Sequence, residues 1–194
     1  MARVHVYLWG TYTAMDKRLL LSSDEMHILL HRLACQLIEN HNDFSNTVLI
    51  GIQPRGSLLS SRLAQLLQEE YAVHNLDHGL LDITFYRDDF RRSDKTFRAS
   101  ETRMDGIQVE NKNVVFIDDV LYSGRSINAA LTAILDYGRP AGIELLTLID
   151  RRFSRHLPIQ PNYRGRQVDS IDSQRVQVNW KEQDGADAVY LMDA

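Results

Sequence analysis

Hydrophobic positions along the chain switch between two periods. Ser22-Ser23-Asp24-Glu25 has the form of a capping box. Met26, Leu30, Leu33 and Leu37 then recur at helical spacing, with Leu29 and Ile38 widening the stripe. After Asn42-Asp43, the run Thr47-Val48-Leu49-Ile50-Gly51 predicts a short buried strand. Helical period returns from Ser57 to Tyr71 through Leu58, Leu59, Leu63, Leu66 and Leu67. Leu81 to Tyr86 alternates and predicts a strand, as does Asn113 to Asp118. A helix is predicted from Arg125 to Tyr137, stopped by Gly138 and Pro140, and a strand from Ile143 to Ile149. Arg175–Trp180 and Ala188–Met192 predict shorter, peripheral strands. The strand–helix alternation across residues 47–150 argues an α/β fold with a mostly parallel sheet flanked by helices.

Two segments stand outside this alternation. Residues 1–21 carry only the alternation of Val4, Val6 and Leu8, and read as an N-terminal extension to a domain of residues 22–194. Arg87 to Gly106 is polar, poor in aliphatics, and holds six basic against five acidic residues. It is too long for an ordinary connection, which leaves a functional lid or a solvated surface loop.

Composition narrows the class. The 194 residues are 44% hydrophobic and 25% charged, an ordinary balance for one globular domain. Apolar runs extend over a few residues, against roughly 20 for a bilayer span, and no secretory leader is visible, so a cytoplasmic protein without a membrane segment is expected. The single cysteine, Cys35, excludes an intramolecular disulfide and a multi-cysteine zinc site; lying among Leu33, Ala34 and Leu37, it is expected to be buried. Twenty-two basic and 26 acidic residues give a net charge of −4, which excludes a chain basic throughout but not a local basic patch.

The densest chemistry lies between Val114 and Ser126. An apolar strand ends in Asp118-Asp119; Val120-Leu121-Tyr122-Ser123-Gly124 follows, and a helix begins at Arg125-Ser126. Open α/β sheets bind ligands at the carboxyl ends of their strands. Loop amides and a helix N-terminus favour phosphate, Ser123 and Ser126 add hydroxyl donors, and Gly124 lets the backbone close round the oxygens. Two adjacent carboxylates suit a sugar diol, a developing positive charge or a magnesium ion. Phosphate loop and acid pair together read as a phosphorylated-sugar site; the plain alternative is an acidic turn capping a helix. Gly51-Ile52-Gln53-Pro54-Arg55-Gly56-Ser57 is a second strand-to-helix turn. Neither GxxxxGK[ST] nor GxGxxG occurs.

The stretch 114–126 resembles the phosphoribosyl pyrophosphate signature of type I phosphoribosyltransferases. With Leu81 to Asp89, Tyr137-Gly138-Arg139-Pro140, Leu148-Ile149-Asp150-Arg151 and His156-Leu157-Pro158-Ile159, the chain resembles the family of pyrimidine operon regulators that are also uracil phosphoribosyltransferases, over roughly residues 24–192. The resemblance implies catalytic roles for Asp118, Asp119 and Arg55, and a 5′-phosphate clamp at Leu121, Tyr122, Ser123, Gly124, Arg125 and Ser126. It implies pyrophosphate contacts from Pro54, Arg55, Gly56 and Arg87, with a cis peptide at Pro54–Arg55. It further implies a lid at about 87–106, and a hood built from about 151–194 with the first helix. Arg139 and Val168 would line the uracil and nucleotide site, Val168 through its backbone; Arg139 reads equally as a charge at a helix C-terminus. Magnesium would be met indirectly by Asp118 and Asp119, through ribose or water.

The implied reaction takes uracil and phosphoribosyl pyrophosphate to UMP and pyrophosphate. The family's other activity is binding the leader messenger RNA of the pyrimidine operon under control of UMP and UTP, on a homodimer or tetramer. Residues 150–166 fit that with Arg151, Arg152, Arg155, Arg164 and Arg166 against Asp150, a local charge of about +4. Some of these arginines would equally serve pyrophosphate or a dimer contact. His31 stands where the family's first helix approaches RNA. Cys35, Gln160 and an extra residue between Arg151 and His156 depart from the family pattern. The alternatives are a nucleotide-sensing RNA attenuator with weak or no catalysis, and a phosphoribosyltransferase for a purine base.

Overall fold

The computed structural model describes residues 17–88 and 100–193. In chain order the elements are β1 (Lys17–Leu21), α1 (Ser23–His41), β2 (Thr47–Ile52), α2 (Gly56–Glu69), β3 (Asp77–Leu81), β4 (Asn113–Leu121), α3 (Arg125–Ala133), β5 (Gly142–Arg152), β6 (Tyr163–Asp169), β7 (Gln174–Asn179), α4 (Lys181–Asp184) and β8 (Ala188–Asp193). Five strands form a parallel sheet in the order β3-β2-β4-β5-β6. β1, β8 and β7 form a separate antiparallel sheet, the hood.

The period-2 geometry of the central strands splits the core into two layers. Leu49 of β2 and Val115 and Ile117 of β4 pack with Leu33, Leu37, Leu59 and Leu63 of α1 and α2. Their neighbours Val48, Ile50, Val114 and Phe116 pack with Ile127, Ala130 and Ala133 of α3. All six residues of β2 are buried, because both faces of a parallel sheet are covered. The capping box forms as predicted: Glu25 N–H donates to Ser22 Oγ at 3.3 Å, and Ser22 N–H to Glu25 Oε2 at 2.8 Å.

Several expectations shift. The strand predicted over Leu81–Tyr86 lies earlier, at Asp77–Leu81. The Asp82 carboxylate accepts from Thr84 N–H at 3.1 Å and from Thr84 Oγ1 at 2.6 Å, which turns the chain into a 3-10 turn at Thr84–Tyr86. β4 runs three residues beyond Asp118, so both carboxylates lie within the strand. The α3 helix ends at Ala133 and tightens to 3-10 over Ile134–Tyr137. Lys17–Leu21 pairs with β8, so the folded unit begins before residue 22; Val4 to Leu8 lies outside the described residues. β6 carries no periodic signal because it is an edge strand with only Tyr163 and Val168 buried. Cys35 is exposed: Leu33, Ala34 and Leu37 hold the buried face of α1 and leave it on the other side. Among the described residues, no helix is long and apolar enough to cross a membrane.

Candidate active site

The carboxyl ends of β2, β4 and β5 meet along one edge of the main sheet. Asp118 and Asp119 sit there on β4, with relative exposures of only 8% and 7%. Burial holds the Asp118 carboxyl well above the usual carboxylate range. The neighbouring Asp119 charge pushes the same way, against a hydrogen bond from Asp119 N–H at 3.0 Å and the charge of Arg87. Burial also raises Asp119, to about 6, with Arg55 and backbone N–H groups opposing. Two acids this close and this dry share the cost of ionisation, so a positive or hydroxyl-rich ligand is what completes the pair.

The turn after β2 is tied in place from both sides. Gln53 N–H donates to Leu81 O at 2.9 Å, and Ser57 Oγ to Pro54 O at 2.7 Å. Gly56, the first residue of α2, passes against β4: a Cβ there would lie 2.2 Å from Ile117 O and 3.0 Å from Asp118 Cα. This contact brings Arg55 beside the acid pair. The cis peptide bond falls at Gln53–Pro54, not at the expected Pro54–Arg55. Proline eases cis only on the bond that precedes it.

Beyond β4 the phosphate-type loop has the expected form. Gly124 has φ +89°, a left-handed conformation that suits glycine, and α3 starts at the next residue. Arg125 N–H lies 3.4 Å from Ser123 Oγ, and Arg87 Nη1 reaches Ser126 Oγ at 3.4 Å. Asp88 pairs with Arg125, so the start of the polar 87–106 stretch is fastened to this loop. Residues 89–99 of that stretch lie outside the described residues. Leu121 is 1% exposed and packs in the core, leaving only its backbone for a ligand. Val168 is likewise a core residue at 6% exposure.

Opposite these groups stands the hood. Arg175, Val176, Gln177 and Val178 of β7 face Arg55, Asp119 and Val120 across a cleft of about 320 Å³. The strand pattern predicts β7 and the resemblance implies a hood, but which β7 residues face Asp119 is not legible, because nothing local encodes a contact over more than 50 residues. Tyr122 extends the wall: Arg151 lies 4.0 Å over its ring, and its hydroxyl donates to Asp172 at 3.4 Å.

Other expected site residues do not gather here. Arg139 is exposed on the connection into β5, where its N–H donates to Glu110 at 2.7 Å and its carbonyl accepts from Asn111 at 2.9 Å. That is the amino end of β5, five residues or roughly 17 Å before Thr147, which pairs with Asp118, so Arg139 lies away from the acid pair in this chain. Arg151 is 5% exposed and spends its guanidinium on Ser170 Oγ at 2.8 Å and on the Ile171 and Gln174 carbonyls at 3.1 and 2.8 Å. It is a structural tie, not an open RNA contact. Arg152 is exposed and pairs with Asp169 at 3.4 Å, and Arg155 pairs with Asp150. These arginines line a cleft of about 720 Å³ between the 152–161 loop and β6. His31 lies in a different cleft with Glu69, Glu70 and Glu182, its Nδ1 3.0 Å from Tyr71 OH, so it adds no positive surface to the arginines.

A sheet edge that joins a phosphate loop to a buried acid pair defines a class of enzymes that handle phosphorylated ribose. Residues 20–183 match the family described as a phosphoribosyl transferase domain, and the chain belongs to that family. Within it, the chain is 42% identical over 173 residues to the "Bifunctional protein PyrR" of Microcystis aeruginosa, covering 89% of this chain and 96% of that one. It is 40% identical over 177 residues to the protein of the same description from Deinococcus radiodurans, covering 91% and 95%. The fold is also that of a hypoxanthine phosphoribosyltransferase from Staphylococcus aureus, with TM-score 0.65, 18% identity and 91% coverage of each chain.

Proposed function

We propose that this site joins uracil to the anomeric carbon of phosphoribosyl pyrophosphate, giving UMP and pyrophosphate. The observation that carries the reading is the buried Asp118–Asp119 pair on the strand that leads directly into the Gly124 loop and the α3 N-terminus. The amides of residues 123–126, with Ser123 and Ser126, hold the 5′-phosphate. Asp118 and Asp119 take the ribose hydroxyls. Arg55 and the adjoining turn face the pyrophosphate, and Arg87 approaches from the far side. The bond from C1 to the pyrophosphate oxygen breaks, a bond from C1 to uracil N1 forms, and the N1 proton passes to water or to the departing pyrophosphate. Positive charge develops on the ribose ring, and the ionised form of the acid pair opposes it. The hood strand β7 covers the reacting carbon and excludes water that would hydrolyse the donor.

The donor set fits magnesium. Asp118 and Asp119 supply hard oxygen groups, which would meet a magnesium ion indirectly, through ribose hydroxyls or water. Among the described residues no group of three metal-ligating side chains occurs, which agrees with an ion held jointly with the substrate's oxygens. When bound, it offsets charge on the leaving pyrophosphate.

The test is pyrophosphate release from purified protein with magnesium, donor and one base at a time. Uracil-dependent release is expected. Release with hypoxanthine or guanine and none with uracil would move the protein to a purine substrate.

A second activity accompanies this one: binding of pyrimidine operon leader RNA by a homodimer, tuned by UMP and UTP. The name "bifunctional" borne by the relatives and the arginine-lined cleft support it. Leader binding strengthened by UMP is the expected result; binding indifferent to sequence and nucleotide would sink it.

A further inference from the structure

The segment that follows β5 folds back onto the phosphate loop. His156 N–H donates to Ser123 O at 3.0 Å and Leu157 N–H to the same oxygen at 3.2 Å. Arg155 Nη1 donates to Tyr122 O, and Arg155 Nη2 to Asp150 Oδ1. Asp150 is buried at 4% exposure, and its other oxygen accepts from Arg164 Nη1 at 3.1 Å. Ile159 and Leu157 close the stack: a Cβ on Gly124 would lie 3.3 Å from Ile159 Cδ1 and 3.5 Å from Leu157 Cβ.

The chemistry of a planar trans peptide gives these contacts a direction. Within one trans peptide plane, the carbonyl of one residue and the N–H of the next point in opposite directions. Fastening the carbonyls of Tyr122 and Ser123 on the outer side therefore aims the N–H groups of Ser123 and Gly124 to the inner side, where the phosphate is to lie. A loop left free would lose entropy on ordering its donors round the anion; a loop already fastened would not.

We infer that residues 155–157 are a strap that presets the 5′-phosphate loop, and that Arg155 is its positioning residue, held by Asp150. The inference rests on the phosphoribosyl reading of the site. It assigns Arg155 a role in sugar-phosphate affinity, where sequence resemblance pointed to RNA. The guanidinium fork reaches a carbonyl and a carboxylate together, which a lysine ammonium reproduces only in part. Asp150 is shared with Arg164, so the strap is also tied to the edge strand β6.

The experiment compares Arg155→Met, Arg155→Lys and Asp150→Asn with the unaltered protein by calorimetric binding of ribose 5-phosphate, UMP and pyrophosphate. Arg155→Met is expected to weaken ribose 5-phosphate and UMP roughly tenfold, the scale of one lost charge-assisted hydrogen bond. Pyrophosphate affinity is expected to stay the same, because that ligand does not use the loop. Arg155→Lys should recover part of the loss, and Asp150→Asn should move the same two ligands in the same direction. Unchanged affinity for both phosphate esters would overturn the inference, and so would an equal loss for all three ligands. Failure of the unaltered protein to turn over uracil would instead count against the base assigned above, since the ribose 5-phosphate comparison needs no base.

Discussion

At the scale of single residues, the acid pair sets the pH behaviour. The folded protein keeps the Asp119 proton up to about pH 6, whereas an unperturbed aspartate releases it near 3.8. Between those values the folded state binds more protons than the unfolded chain, so stability falls as pH rises through the window and the loss is complete above it. Asp119→Asn removes that penalty. It should raise stability at pH 7.5 by about 2–3 kcal/mol, seen as a higher melting temperature, and give no gain below pH 3.8. The same change should cut turnover by roughly 100-fold or more, because the carboxylate that opposes ring charge is gone. Turnover of the unaltered protein should fall on the acid side with a midpoint near pH 6, read from kcat/KM of the free enzyme. A stability gain with activity intact would remove Asp119 from the site. Gly56 offers the complementary case. Gly56→Ala puts a methyl 2.2 Å from Ile117 O, a backbone atom with nowhere to go. It should destabilise by about 2 kcal/mol or more and displace Arg55, so melting temperature and pyrophosphate affinity fall together. The acids were legible in the sequence because a run of apolar residues ends on them. The demand on Gly56 was not, since it arises from a strand that follows more than 50 residues later.

At the scale of elements, what could be read was what is periodic. The stripe of α1, the buried run of β2 and the strand–loop–helix of β4 and α3 follow local patterns that the fold obeys. Misplaced elements are those where a side chain or a neighbour outweighs the pattern: Asp82 bends the chain where alternation predicted a strand, and β6 is held by the β5 edge and Arg32, not by its own hydrophobicity. The hood depends on one such contact. Arg62 of α2 donates from Nε to Glu182 at 2.9 Å and from Nη1 to Asp187 at 2.8 Å, and lies 4.8 Å over the Trp180 ring. Trp180 is fully buried, so the arginine covers a large aromatic that seats the hood on the helix layer. Arg62→Ala leaves Asp187 and Glu182 facing each other without a cation. The fold should lose about 1–3 kcal/mol, discounted for the half-exposed Glu182. Because β7 faces Asp119 across the cleft, the variant should also raise the proportion of donor hydrolysed without base. Chemical denaturation and a base-free pyrophosphate assay read the two effects separately; hydrolysis unchanged at lowered stability would mean the hood is not what excludes water.

At the scale of the molecule, charge is arranged against its own net value. The chain carries −4 overall, yet the 152–161 loop and β6 gather arginines round one cleft. Most of that positive charge is already met: Arg155 and Arg164 share Asp150, Arg152 pairs with Asp169, and Arg166 lies 3.9 Å from Glu25. Of the four arginines lining the cleft Arg151 is buried, and one charge remains on the other three after Asp150 and Asp169 are set against them. Counterion release then limits how steeply RNA binding can depend on salt. One phosphate met per protomer on single-stranded RNA gives a slope of log K against log salt of about −0.7, or about −1.4 for a dimer. Such a shallow salt dependence distinguishes the cleft from a broad basic face. Fluorescence anisotropy of a leader hairpin across a potassium chloride series should return that shallow slope. Arg152→Ala, an exposed residue outside the acid site, should bring the dimer's slope from about −1.4 to near zero while uracil turnover is retained. A slope near −6, or one indifferent to Arg152, would place the RNA on another surface. Nucleotide control would then need a route other than the 155–157 strap that joins this cleft to the phosphate loop.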